Sequence, residues 1–261
     1  MNLSTRLRVL TSDNVGIAGF IITGTIPKHL LLRAIGPSLV QSGVVDPLAD
    51  PILELHGPSG FTTITDDNWR DDPEQEAAIV ADGIPPTNDL ESAIDATLDP
   101  GSYTAIVRGQ SDGTGVGLVE VYDLSQSTAV KLANISTRAF VNTGSNIVIA
   151  GFILAGRDGN DRVVVRGIGP SLSAVGIAGA LANPTLELRD GNGALLIAND
   201  NWADDPSQAA ELTADGLAPT NQLESALAVT LSPGDYTALL AGLNNGTGVG
   251  LVEVYDLGMP Y

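Results

Sequence analysis

The stretch that decides the fold is Gly113–Leu124, GTGVGLVEVYDL, because it recurs without change as Gly246–Leu257. Shorter motifs recur at the same spacing: RAIGPSL from Arg33 and RGIGPSL from Arg166, DNW from Asp67 and Asp200, LESA from Leu90 and Leu223. A period this long is the size of a domain and exceeds that of solenoid repeats, so each copy should have its own core. The sequence predicts two tandem domains, residues 1–128 and 129–261, with residues 125–129 as the linker.

Comparison of the two copies shows which side of a strand faces the core. In Pro51–His56 and its counterpart Pro184–Arg189, two leucines are kept, whereas the residues on either side of them change from Ile to Thr and from His to Arg. This period of two indicates a strand with one buried and one wet face. Similar segments in the first copy are 4–11, 16–24, 28–35, 51–56, 61–65, 92–98, 102–108 and 116–123.

These segments predict an all-β fold: two tandem β-sandwich, jelly-roll-like domains of about eight strands each. The 30 Gly and 15 Pro residues suit tight turns between short strands. One short helix per domain is expected. In the first copy Asp72 is its N-cap, Pro73 its first residue and Gln75 its third, and Gly83 ends it. The second copy keeps these marks at Asp205, Pro206, Gln208 and Gly216.

Charge and composition set several functions aside. The 31 acidic and 12 basic residues give a net charge of −19, which opposes binding to a nucleic-acid backbone. No apolar run approaches the ~18 residues of a membrane span. The chain has no Cys, so disulfides, thiolate metal sites and cysteine nucleophiles are excluded. The first residues show no signal-peptide pattern.

Several motifs together resemble an uncharacterised repeat module of large secreted bacterial surface proteins. In the first copy they are Ser4-Thr5-Arg6, Ile17–Phe20, Gly36–Leu39, Asp67–Trp69 and Gly117–Leu124. The later half of each copy, with Leu98–Thr104 in the first, also resembles pre-peptidase C-terminal (PPC-like) domains. The first resemblance implies an extracellular or cell-surface β-sandwich without catalytic activity, and it implies no defined biochemical activity.

The acidic loops are candidate cation sites. Asp66–Asp72 reads DDNWRDD, and Asn199–Asp205 reads NDNWADD. Ca²⁺ takes six to eight oxygen ligands from carboxylates, amides and carbonyls. The candidate calcium ligands are Asp67, Asn68, Asp71 and Glu91, with Asp200, Asn201, Asp204 and Glu224 in the second copy. The alternative is that Asp72 caps the helix and the other carboxylates are merely solvated; the spacing is not that of an EF-hand.

Trp69 and Trp202, one in each acidic loop, allow two interpretations. They are either platforms on which a sugar ring stacks, and hence candidate ligand-binding residues, or anchors that cover the edge of a core.

Charged residues within apolar strands also allow two interpretations. Arg33, Glu54 and Glu120 recur as Arg166, Glu187 and Glu253. Two carboxylates can act as the acid and base of a glycosidase, but a cross-strand Arg–Glu ladder on the outer face explains them more simply. The two histidines, His29 and His56, have no counterparts in the second copy, so we predict no catalytic residue and no enzymatic activity.

The leading functional hypothesis is a structural or adhesive module of a bacterial surface layer or fibre. It would self-associate through strand edges, with the 4–11 strand and the strand that ends each repeat as candidates, or bind other surface proteins. The alternative is a carbohydrate-binding module of a secreted enzyme, with glycans as partners. A hydrolase is a third hypothesis, which requires Glu54 and Glu120 to converge. We expect neither nucleic-acid binding nor membrane insertion.

Overall fold

The chain is described from a computed structural model that covers residues 2–125, 130–154 and 159–258. It divides into two units, Met1–Ala133 and Asn134–Tyr261, a few residues beyond the predicted boundary. Residues 126–129 of the predicted linker lie outside the described residues.

Each unit is built from β-strands and one α-helix, joined by turns and short 3-10 segments, so the all-β prediction is confirmed. The first unit contains β1 Asn2–Val9, β2 Gly16–Gly24, β3 Lys28–Ile35, β4 Pro51–His56, β5 Ile64–Asp66, α1 Pro73–Ala81, β6 Ser92–Leu98, β7 Gly101–Gly109 and β8 Gly115–Asp123. The remaining elements are β9 Val130–Val141, β10 Val148–Leu154, β11 Asp161–Ile168, β12 Pro184–Asp190, β13 Leu195–Asn199, α2 Pro206–Ala214, β14 Ser225–Leu231, β15 Gly234–Gly242 and β16 Gly248–Gly258. Within the described residues, no helix is long and apolar enough to cross a membrane.

Strand pairing within the first unit forms two antiparallel series. One runs β6–β3–β8–β1 and the other β2–β7–β4–β5. The second unit repeats both series as β14–β11–β16–β9 and β10–β15–β12–β13. The pairing order of the first unit is thus repeated strand for strand in the second.

The strand that ends each repeat lies inside its sheet. β8 pairs with β1 on one side and with β3 on the other, and β16 pairs with β9 and β11. The predicted role of this strand as a free edge is therefore wrong, because its backbone donors and acceptors are already used by two neighbours.

The core of each unit lies between its two series of strands. Side chains alternate between buried and partly exposed along β1 and β7, as a half-buried strand requires. Where the second unit has Gly167 on β11, a Cβ atom would stand 2.9 Å from the side chains of Leu186 on β12 and Leu240 on β15. The buried faces of the two series are thus in close contact in that unit.

Helix α1 begins and ends as predicted. The Asp72 side chain accepts hydrogen bonds from the backbone N–H groups of Glu74 and Gln75. Gly83, just beyond the helix, has φ +80°, which glycine adopts without strain. The Gln75 side chain binds β6 instead of the cap: its Oε1 accepts from Asp95 N–H at 2.9 Å and its Nε2 donates to the Asp95 carbonyl at 3.3 Å. This pair of hydrogen bonds fixes the helix against β6.

Candidate functional site

The acidic loop of the first unit, Asp66–Asp72, connects β5 to α1 and brings three predicted ligands together. Asp67 accepts hydrogen bonds from the Asn68 amide at 3.0 Å and from Gln110 at 2.8 Å. The Asn68 amide also lies 3.4 Å from an Asp71 carboxylate oxygen. In the second unit, Asn201 donates to Asp204 at 3.1 Å.

In each unit, two side-chain oxygens, one in the acidic loop and one just before β4 or β12, lack a hydrogen-bond partner among the described residues. In the first unit these are Asn68 Oδ1 and Asp50 Oδ1; both are buried and lack a hydrogen-bond partner among the described residues. Burial raises the pKa of Asp50, and the charge of Asp67 raises it further. In the second unit, Asn201 Oδ1 and Asn183 Oδ1 are likewise buried and without a hydrogen-bond partner among the described residues. The sequence signal, an Asp or Asn before the proline that starts β4 or β12, was not recognised as part of the site.

Asp66 fastens its loop to β6 through a buried carboxylate. Its Oδ2 accepts from Ala93 N–H at 2.8 Å, and Asn199 accepts from Ala226 N–H in the second unit. The pKa of Asp66 is raised to about 6, first by burial and then by neighbouring Asp charges. Its equivalence to Asn199 shows that this position needs an acceptor oxygen rather than a charge.

Glu91 has a structural role in place of the predicted one as a cation ligand. It is fully buried. Its Oε1 accepts from the N–H groups of Gly36 and Ser38 and from Ser38 Oγ, and its Oε2 accepts from Asn88 N–H. Glu224 binds the same four groups of the second unit. Each glutamate thus ties the Gly-Pro-Ser-Leu turn to the segment that precedes β6 or β14.

The sugar-stacking interpretation of Trp69 is wrong, because only 2% of this residue is exposed. The indole packs against Leu31, Ile79 and Ala93 and donates a hydrogen bond from Nε1 to the Asn88 carbonyl at 3.2 Å. The guanidinium of the following residue lies 4.3 Å from the ring centre. The carbohydrate-binding alternative therefore loses its stacking platform in the first unit.

Trp202 takes the same position in the second unit but is only partly buried. Its Nε1 donates to the Asn221 carbonyl at 3.1 Å, and the ring packs against the core cluster that contains Val164 and Leu212. The second unit has Ala203 where the first has Arg70. Trp202 is thus also an anchor, without the arginine that stacks on Trp69.

Arg33 and Glu120 form the cross-strand ion pair predicted as one alternative. Arg33 donates to Glu120 Oε2 from Nε at 2.9 Å and from Nη2 at 2.5 Å, and its Nη1 donates to the Ile84 carbonyl at 2.6 Å. Tyr122 donates to Glu120 Oε1 at 2.8 Å, and burial together with the Glu120 charge raises the tyrosine pKa to about 12. The second unit repeats the network with Arg166, Glu253 and Tyr255. Glu120 is 6% exposed, so the pair is buried, not on a wet outer face.

Glu54 and Glu120 are not brought together as an acid–base pair. Glu54 lies on β4 and pairs with Arg108 of the neighbouring β7 at 2.6 Å, which lowers the pKa of Glu54. Glu120 lies on β8, in the other strand series, and pairs with Arg33. The convergence that the hydrolase hypothesis requires is therefore missing from this pair.

A cluster of His29, Asp82 and Asp95 was missed from the sequence. One ligand atom from each of these three residues lies within 4.8 Å of the other two, and His29 Nε2 is 2.6 Å from Asp95 Oδ2. The pKa of Asp82 is raised to about 6, first by burial, then by its contact with Asp95. In the second unit Arg162 replaces the histidine and donates two hydrogen bonds to Asp215.

No protein-family model matches the chain, and no curated protein matches it in sequence. Among solved structures, the chain is similar to one described as "Structure of PNGF-II in C2 space group", with 9% identity and a TM-score of 0.23. That match covers 98% of this chain and 59% of the other. A likeness this weak carries no argument about fold or function.

Proposed function

We propose that this chain is a non-catalytic structural or adhesive repeat protein of a bacterial surface that self-associates through a sheet edge. The observation that carries the proposal is strand β13. It ends its strand series in the described part of the chain, and its Leu195 and Leu196 are 52% and 47% exposed. Unpaired backbone groups beside exposed apolar side chains form a template for pairing with another chain.

The equivalent edge of the first unit is shorter and more polar. Strand β5 spans only Ile64–Asp66, and Thr62 and Thr63 occupy the positions of Leu195 and Leu196. Short, polar edges are a common protection against unwanted pairing. The contrast favours β13 over β5 as the associating edge, and pairing with β13 of a second copy would be the first step towards a layer or fibre.

The use of charged side chains supports a structural rather than a catalytic role. In both units the buried glutamates accept hydrogen bonds from the fold itself. Glu120 and Glu253 each bind an arginine and a tyrosine, and Glu91 and Glu224 each bind the backbone of a turn. Each of these carboxylates already has donors on both oxygens, so it is occupied by the fold.

The double substitution L195T/L196T, which copies the first unit, is expected to abolish self-association. Sedimentation velocity over a hundredfold range of concentrations should show wild-type protein shifting to larger species while the variant stays monomeric. The control is L223T, which removes an equally exposed leucine (46%) from a loop and should associate as wild type does. A wild-type chain that remains monomeric throughout would contradict the proposal.

Calcium binding by the two acidic loops is a second part of the proposal. Its support is the set of buried oxygens without a hydrogen-bond partner among the described residues: those of Asn68 and Asp50 in the first unit, and those of Asn201 and Asn183 in the second. Such oxygens are costly unless something donates to them or coordinates them. Asp67 and Asp71, with Asp200 and Asp204, would supply charge. Glu91 and Glu224 are not proposed as calcium ligands, because their carboxylates already bind the Gly-Pro-Ser-Leu turns.

Added Ca²⁺ is expected to raise the melting temperature, because an ion that binds only the folded state stabilises it by mass action, by about 2.7 kcal/mol at 100 times Kd. The double variant D67N/D200N should lose most of this rise. The variant D13N, which removes an exposed carboxylate outside the loops, should keep it. An unchanged melting temperature at millimolar Ca²⁺ would contradict calcium binding by the acidic loops.

A further inference from the structure

We propose that His29, Asp82 and Asp95 form a site for one divalent transition-metal ion, such as Zn²⁺, that joins the end of α1 to strands β3 and β6. His29 lies on β3, Asp95 on β6, and Asp82 is the C-cap of α1. The three residues are far apart in sequence and meet only because the helix packs on these two neighbouring strands.

The donor geometry suits such an ion. Zn²⁺ binds His nitrogen and carboxylate oxygen at about 2.0–2.2 Å in a tetrahedron, so its ligand atoms stand roughly 3.4 Å apart. That spacing lies between two distances in the structure. His29 Nε2 is 2.6 Å from Asp95 Oδ2, and the ligand atoms of all three residues lie within 4.8 Å of one another. Small side-chain rotations would therefore bring all three donors to one ion.

In the second unit, a cationic side chain occupies the corresponding place in the fold. There Arg162 stands where the first unit has His29, and its guanidinium binds Asp215 with two hydrogen bonds at 2.8 and 2.6 Å. Ala228 stands in place of Asp95. The second unit thus sets one cation against one carboxylate, whereas the first sets two carboxylates against an imidazole, and a divalent ion would restore the balance.

Asp82 gives an independent reason to expect a ligand. Its Oδ2 is buried and lacks a hydrogen-bond partner among the described residues. The residue also sits at the C-terminal end of α1, where the helix dipole disfavours a negative charge. The counterpart Asp215 is neutralised by Arg162, whereas Asp82 contacts a second carboxylate, Asp95, and a bound ion would neutralise both.

The donor set favours a transition metal over Ca²⁺. An imidazole nitrogen with two carboxylates suits Zn²⁺ and similar ions, whereas Ca²⁺ takes six to eight oxygens. The His29 side chain is 38% exposed, which gives an ion access from solvent and leaves a fourth position for water. With both carboxylates and the imidazole committed to holding the strands and the helix together, the site would be structural.

Titration calorimetry of the full chain with Zn²⁺ tests the proposal, in millimolar Ca²⁺ to occupy the acidic loops. We expect one Zn²⁺ per wild-type chain. The variants H29R and D95A each introduce the residue that the second unit already tolerates, so they should fold. Loss of one ligand should weaken binding at least about 100-fold, since changes even in outer-shell partners cost 10–100-fold. With Co²⁺, the wild type alone should give the visible absorption of a tetrahedral ion.

The reciprocal variant R162H/A228D rebuilds the three residues around Asp215. It should bind two Zn²⁺ per chain, with circular dichroism as the check on folding. A wild-type chain that binds no Zn²⁺ would overturn the site. Equal binding by wild type, H29R and D95A would also overturn it, as would a folded R162H/A228D chain that still binds one ion.

Discussion

Replacement of Arg33 by methionine is expected to lower the free energy of unfolding of the first unit by about 3–5 kcal/mol, because it leaves a buried carboxylate without its cation. Glu120 is 6% exposed and receives two of its hydrogen bonds from Arg33. Among the described residues, only Tyr122 remains to donate a side-chain hydrogen bond to Glu120. The Ile84 carbonyl loses its donor as well.

Urea unfolding followed by tryptophan fluorescence measures this loss. The chain has two tryptophans, Trp69 in the first unit and Trp202 in the second, so a W202F background reports on the first unit alone. The double variant R33M/E120M should recover much of the stability, because replacing both members of a buried pair by apolar groups is often neutral. If R33M alone unfolds at the same urea concentration as the wild type, the Arg33–Glu120 ion pair does not stabilise the first unit.

Replacement of Glu91 by alanine is expected to cost about 4 kcal/mol and to free the turn at Gly36 and Ser38. The change leaves four donors without their acceptor, and each buried unsatisfied group costs about 1–3 kcal/mol. The same W202F background and urea titration measure the loss.

Two further variants separate hydrogen bonding from simple loss of volume. E91Q keeps one acceptor oxygen and should lose clearly less stability than E91A. S38A removes one donor together with its need for an acceptor, so its loss should be smaller still. Equal losses for E91A and E91Q would mean that the carboxylate oxygens are not what holds the turn.

Much of the fold followed from the sequence because the duplication acts as an internal test of which positions face the core. Strand β4 and helix α1 were predicted at the residues where they occur. The strand predicted at 61–65 starts three residues too early in the sequence, since β5 begins only at Ile64. Phe61 instead belongs to a turn on Pro58 and packs edge-on against Tyr103, a contact with a residue distant in sequence.

The site was harder to predict, and for a physical reason. Glu91 was assigned to a cation because a sequence shows a carboxylate but not the N–H groups at positions 36 and 38 that fill it. His29 was set aside because it has no copy. Its proposed role as a metal ligand depends on the structure, in which Arg162 occupies the position of His29 and binds an aspartate.

The interior position of β8 has a consequence for how the protein folds. Leu3 on β1 pairs with Val121 on β8, so this sheet of the first unit cannot close until its last strand has left the ribosome. Sheets that depend on such distant pairings fold slowly and expose their edges meanwhile. The same twelve residues, Gly246–Leu257, include most of β16 in the second unit, so the chain contains two closing strands of nearly the same sequence. We therefore expect β16 to compete with β8 for the place between β1 and β3 during refolding, and slow correction of that exchange to limit the yield of native protein.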